Sequence, residues 1–183
     1  MGTRAAVVGV TSLDKKDLRR KQILDAAFES FIRHGYSKVT INDIAIEAEI
    51  SRPLIYLLFK SKEDIFINMF EDLFDAQEER VRTVMASDLP ARDKLIETFN
   101  IVILEFWPKL SDSPEGNDLF DATNKLFPRI GNKYRKPLIA MMGKIIGDES
   151  AELLILAVKG LYYDRPSTAL LRKRISLLVD KFL

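Results

Sequence analysis

The 183-residue chain contains no cysteine, which excludes disulfides, thiolate zinc sites and cysteine nucleophiles and is compatible with a reducing cytoplasm. Its single histidine, His34, further restricts metal chemistry, and neither a metal nor a cofactor is expected. A Gly-rich phosphate loop and a helical Glu-x-x-His pair are also missing, so the constellation of groups that an enzyme needs is not in evidence. No apolar run approaches the roughly 18 residues of a membrane span, and the stretch from Ala5 to Val10 is too short for a secretory segment. A soluble protein with no membrane partner is expected. Charge of one sign is lacking overall, with a net of only +1. Its distribution is uneven: residues 1–62 hold 11 Lys/Arg against 7 Asp/Glu, and residues 63–183 hold 17 against 20.

What the chain has in quantity is helical periodicity. Leu18, Ile23, Ala26, Ala27, Phe31 and Ile32 recur at three- and four-residue spacing and predict an amphipathic helix over 15–34, closed by Gly35. Thr40 is a candidate N-cap with Asp43 at the acidic third position, so a short helix follows with Ile41, Ile44, Ala45 and Ala48 inward. Ser51 is a second candidate N-cap and Pro53 suits a first turn, which starts a third helix running to about Phe59. Ser61, with Glu63 and Asp64 behind it, starts a long fourth helix reaching about Ala86. Five more are predicted over 91–109, 116–127, 131–146, 149–163 and 166–182. The fold class is therefore all-α with about nine helices and no strand. A flexible tail is expected over 1–14, a helix-turn-helix unit over 15–61 and a second helical domain over 62–183.

Two short helices joined by a tight turn and braced by a longer one form a unit whose second helix can enter a DNA major groove. Around that helix stand Arg52, Tyr56, Lys60 and Lys62. The stretch Ile23-Leu24-x-Ala26-Ala27-x-x-x-Phe31-x-x-x-Gly35-Tyr36-x-x-x-Thr40-x-x-x-Ile44-Ala45-x-x-Ala48-x-Ile50-Ser51-x-x-x-Ile55-Tyr56-x-x-Phe59-x-x-Lys62-Glu63 resembles the DNA-binding domain of the TetR (tetracycline-repressor-type) family. The resemblance covers about Arg20 to Ile67. It implies a cytoplasmic homodimer that binds a double-stranded operator, most often as a repressor, and is released by a small hydrophobic or amphipathic effector.

Carried across residue by residue, the resemblance implies that Thr40 touches phosphate while capping its helix, and that Ser51, Tyr56 and Lys62 seat the recognition helix on the backbone. Arg52, Pro53 and Leu54 would lie nearest the base edges. Leu54, Leu57 and Leu58 depart from the usual family residues, so base reading is expected to rest on Arg52 and on apolar contact with thymine methyls. His34 is read as a capping group in the last turn of its helix, ahead of a ligand or sensor role. The run Lys15, Lys16, Arg19, Arg20, Lys21 is either a solvated face or a set of phosphate contacts.

In the second half, Phe99, Phe106, Trp107, Phe120, Phe127, Tyr134, Met141 and Met142 recur at helical spacing, chiefly as core. Since the resemblance implies an effector pocket among the central helices, Phe99, Phe106, Trp107, Phe120, Asn124 and Met141 are its candidate lining, with Glu105 and Lys125 as further polar candidates. It also implies that the last two helices form the dimer interface, through Leu153, Leu156, Leu161, Leu170, Leu171, Ile175 and Leu178.

Overall fold

The computed structural model describes residues 12–111, 113–126, 128 and 131–183, and among these every regular element is helical. Four helices form the first half: α1 (Ser12–His34), α2 (Ile41–Glu47), α3 (Arg52–Leu58) and the long α4 (Lys62–Ala86). Then come α5 (Ala91–Phe99), a π-helical turn (Asn100–Leu104), α6 (Trp107–Ser111), α7 (Pro114–Leu126), α8 (Gly131–Ile146), α9 (Asp148–Leu161) and α10 (Thr168–Val179). The first helix already begins at Ser12, and the remainder of the expected tail, like Phe127, lies outside the described residues.

The capping chemistry follows the sequence in two of three cases. Thr40 and Asp43 form a reciprocal capping box, with the Asp43 amide donating to the Thr40 hydroxyl and the Asp43 carboxylate accepting from the Thr40 amide at 2.8 Å. Ser61 accepts from the Asp64 amide at 3.1 Å. Ser51 occupies the N-cap position of α3 but its side chain makes no capping bond. Gly35, at φ 80°, ends α1 in the left-handed region that a side chain disfavours.

The rod expected over 91–109 is interrupted because Pro108 has no N–H to offer the Leu104 carbonyl and its ring crowds that carbonyl. The backbone widens ahead of it: the Glu105 amide donates to the Asn100 carbonyl at 3.0 Å. The Phe106 amide turns to Ile103 at 3.1 Å, which leaves the Ile101 carbonyl without an intrahelical donor. The buried Gln77 amide of α4 supplies one at 2.9 Å.

Two principal cores result. One gathers Ile23, Ala27, Phe31, Ile44 and Ile55 with Ile65, Phe66 and Phe70 of α4, and continues onto Leu110, Leu119 and Ala122 of α6 and α7. The other is built by α5, α8, α9 and α10 around Leu95, Phe99, Trp107, Met142, Leu154 and Leu171. Leu18, placed by periodicity on the apolar face of α1, is exposed, because only the deeper rows of that helix meet α2 and α4. No helix among the described residues is long and apolar enough to cross a membrane.

Candidate functional site

The turn linking α2 to α3 is tight: Glu49 takes a positive φ of 53° and the Ile50 amide donates to the Ala45 carbonyl at 3.0 Å. Ile55 is fully buried and pins α3 to the core. Opposite it, Ser51, Arg52, Pro53, Tyr56, Leu57 and Lys60 are exposed together, Leu57 at 80%, while Leu54 and Leu58 are half-buried. Arg52 has no carboxylate partner among the described residues. Its guanidinium lies 5.6 Å from the Tyr56 ring centroid and donates to the Tyr56 hydroxyl at 3.2 Å. This pairing holds both groups on the outer face of α3 and leaves most guanidinium donors unused.

Lys62 is placed differently from a phosphate contact. Its ammonium donates to the carbonyls of Tyr36 and Val39, each at 2.8 Å, and lies 4.4 Å from the Tyr36 ring centroid. Burial lowers its pKa, partly offset by Asp118. The side chain therefore clamps the α1–α2 connection to the start of α4, and phosphate contact would require it to release those carbonyls. The Thr40 hydroxyl is also engaged, donating to Asp43 at 2.7 Å, and this bond is the chief cause of the lowered Asp43 pKa. His34 is the final residue of α1, next to Arg33 in its last turn. Within the basic run, Arg20 forks onto Asp72 at 2.8 and 3.1 Å, and Lys21 pairs with Asp25.

Further along, α4, the π-helical turn, α8 and α9 leave a cavity of about 180 Å³ lined by Phe99 and Met141 together with Phe74, Gln77, Val102 and Tyr162. A second of about 290 Å³ adjoins it and is lined by Phe106, Trp107, Phe120 and Asn124. All six candidate lining residues thus reach one of two spaces that share Phe74, Val102, Ile103, Lys159 and Tyr162. Those five were not singled out from the sequence. The signal for Val102 and Ile103 was Pro108, which forces the widened turn that turns them to the cavity. Glu105 is instead committed to Arg80 through two 2.6 Å bonds, and Lys125 lines neither space.

The expected interface residues separate into three groups. Leu171 and Ile175 are 0% and 1% exposed and belong to the protomer's own core, which corrects their assignment to a dimer contact. Leu161 and Leu178 are half-buried against the same core. Leu153, Leu156 and Leu170 face outward, joined by Tyr163 and Leu177, which the sequence reading did not include. The physical reason is that α9 and α10 are apolar on two sides, and periodicity alone does not say which side meets the protomer.

The family model of bacterial regulatory proteins of the tetR family matches residues 23–69. An uncharacterized HTH-type transcriptional regulator, YhgD of Bacillus subtilis, is 33% identical over 88 residues, covering 48% of this chain and 46% of the relative. The fatty acid metabolism regulator protein of the same organism is 34% identical over 83 residues, covering 45% and 43%. The chain thus matches a little under half the length of these curated relatives. A putative TetR-family transcriptional regulator from Mesorhizobium loti has the same fold, with a TM-score of 0.67 at 18% identity over 92% of this chain and 96% of that one. The helix-turn-helix geometry and the family match across it make residues 23–69 a DNA-binding segment of the tetR-family type, carried on a chain that shares its helical fold with the Mesorhizobium loti protein.

Proposed function

We propose that the chain is a sequence-specific DNA-binding transcriptional regulator, working as a homodimeric repressor that a small amphipathic molecule releases from its operator. The observation that carries this reading is the outer face of α3: a seven-residue helix, pinned by Ile55, that presents Arg52, Tyr56 and Leu57 to solvent. Such a helix fits a major groove, where Arg52 would fork onto guanine, Leu57 and Pro53 would meet thymine methyls, and Ser51, Tyr56 and Lys60 would hold phosphates. The exposed seam of Leu153, Leu156 and Tyr163 on α9 with Leu170 and Leu177 on α10 is the face offered for pairing two protomers. Pairing would space the two α3 helices for successive groove turns.

Release follows from where the cavities lie. Phe74, Gln77 and Val81 of α4 face the first cavity, while Ile65, Phe66 and Phe70 of the same helix belong to the core of the DNA-binding unit. An effector that favours one tilt of α4 would shift the population toward a spacing unsuited to the operator. No catalytic step enters this account.

Selection of bound sequences from random DNA tests the reading. It should return paired half-sites, with affinity falling steeply as salt rises. Arg52→Ala should weaken operator binding by about 1–3 kcal/mol without altering the helical content. Binding without sequence preference, or specific binding indifferent to salt, would overturn the proposal.

A further inference from the structure

The first cavity, beside α4, is apolar along most of its wall, through Phe74, Val81, Val102, Leu138 and Met141. Its ionised groups are committed elsewhere. Glu78 pairs with Arg82 on the same helix, Arg135 holds Glu152, and Lys159 is engaged as well. The Tyr134 hydroxyl donates to Asp75 at 2.7 Å. The Arg135 Nε–H has no acceptor, but it is itself buried and so is not open to a ligand. Charge therefore gives this wall no preference for an anion or a cation.

Two uncharged polar side-chain atoms remain. The first is Gln77 Oε1. The widened turn ahead of Pro108 frees the Ile101 carbonyl, and Gln77 Nε2 donates to it at 2.9 Å. A carbonyl only accepts, so the carboxamide cannot flip and Oε1 is left as the free end. Among the described residues nothing donates to that oxygen, and Gln77 is buried at 6% exposure while lining the cavity. The second is the Tyr162 hydroxyl. Its ring packs on Trp107 at 5.4 Å and Phe120 at 6.1 Å, but the hydroxyl has no hydrogen-bond partner among the described residues. Burial pushes this phenol up to about 12, so the hydroxyl keeps its proton and remains a donor. An acceptor and a donor, both neutral, thus stand in an otherwise apolar wall.

From this arrangement we infer that the effector is an uncharged alcohol with an apolar body, its hydroxyl donating to Gln77 Oε1, while Tyr162 donates to an oxygen of the same molecule. This deepens the effector part of the function proposed above and rests on it for its biological meaning, although its binding test needs no DNA. An ether of equal size would leave Oε1 covered and unmatched. A carboxylate would set acceptor-only oxygens against Oε1, and an ammonium would bring its charge to a wall whose acidic group, Glu78, is already paired.

Calorimetric titration of the full chain with 1-octanol, heptyl methyl ether, octanoate and octylammonium, each below its solubility or aggregation limit, tests the inference. The alcohol should bind about fivefold tighter than the ether, which has the same number of heavy atoms and no donor. It should bind about tenfold tighter than either ion, or better. Gln77→Met should bring alcohol and ether to equal affinity, whereas Tyr162→Phe should weaken both alike, by about threefold to fivefold. Because Gln77→Met also takes the donor from the Ile101 carbonyl, the ranking by the native chain decides where that variant fails to fold. Equal affinity for alcohol and ether, tighter binding of either ion, an alcohol preference that survives in folded Gln77→Met, or no binding of any of the four would overturn the inference. Any of those results would leave the DNA selection described above intact, and a failed DNA selection would leave the alcohol preference standing.

Discussion

The DNA-binding unit and the bundle behind it are both helical, yet they are closed by different means. In the first, α2 and α3 have only seven residues each, too short to persist alone in water. They hold because a capping box, a tight turn, a fully buried Ile44 and Ile55 and the Lys62 clamp act on them at once. In the second, longer helices pack around space. Pro108 breaks one of them, Gln77 satisfies the carbonyl so freed, and two cavities remain between the walls. On the proposed function, the first unit has one unvarying partner, the DNA backbone, and gains from rigidity. On the same proposal the second region admits a small molecule, and the room for it comes at the expense of packing.

Replacing core side chains in each region should expose this contrast most strongly. Phe31→Ala removes a fully buried ring that touches Tyr36 and Phe66 and should cost about 3–5 kcal/mol in chemical unfolding. Met141→Ala, at a wall that already borders a void, should fall near 2 kcal/mol, the low end for such truncations. Equal losses would remove the distinction.

Lys62→Met comes next in size. It leaves the Tyr36 and Val39 carbonyls without their donor and should cost about 1–3 kcal/mol of stability in the DNA-free protein. A variant of unchanged stability that instead loses one phosphate's worth of salt dependence in DNA binding would return Lys62 to the interface.

Thr40→Ala should cost about 1 kcal/mol, read as a lower thermal midpoint. Acid supplies the matching test. Hydrogen bonds from Thr40 hold the Asp43 carboxyl below its ordinary value, so its contribution is present above about pH 4 and disappears as pH falls through the lowered pKa. Between pH 5 and pH 2, the thermal midpoint should drop further in the native protein than in Asp43→Asn.

The smallest effect concerns base reading by Leu57. Replacing a contacted thymine by deoxyuridine should weaken native binding by about 0.8 kcal/mol, the value of one buried methyl, and should leave Leu57→Ala indifferent to the change. A penalty that persists in Leu57→Ala would assign the methyl to another side chain.

The order and type of the helices, the caps at Thr40 and Ser61 and the helix-turn-helix unit were legible in the sequence because each depends on neighbours within a turn or two. The break at Pro108 was written there as well, but its outcome depended on Gln77, far away along the chain. Which face of α9 and α10 turns inward, the commitment of Lys62 to loop carbonyls, and the meeting of Lys159 and Tyr162 with Phe74 and Val102 were decided by tertiary packing alone. Periodicity defines the stripes on a helix, whereas the rotation of one helix against another settles which stripe is covered, and that rotation is set by contacts among residues remote in sequence.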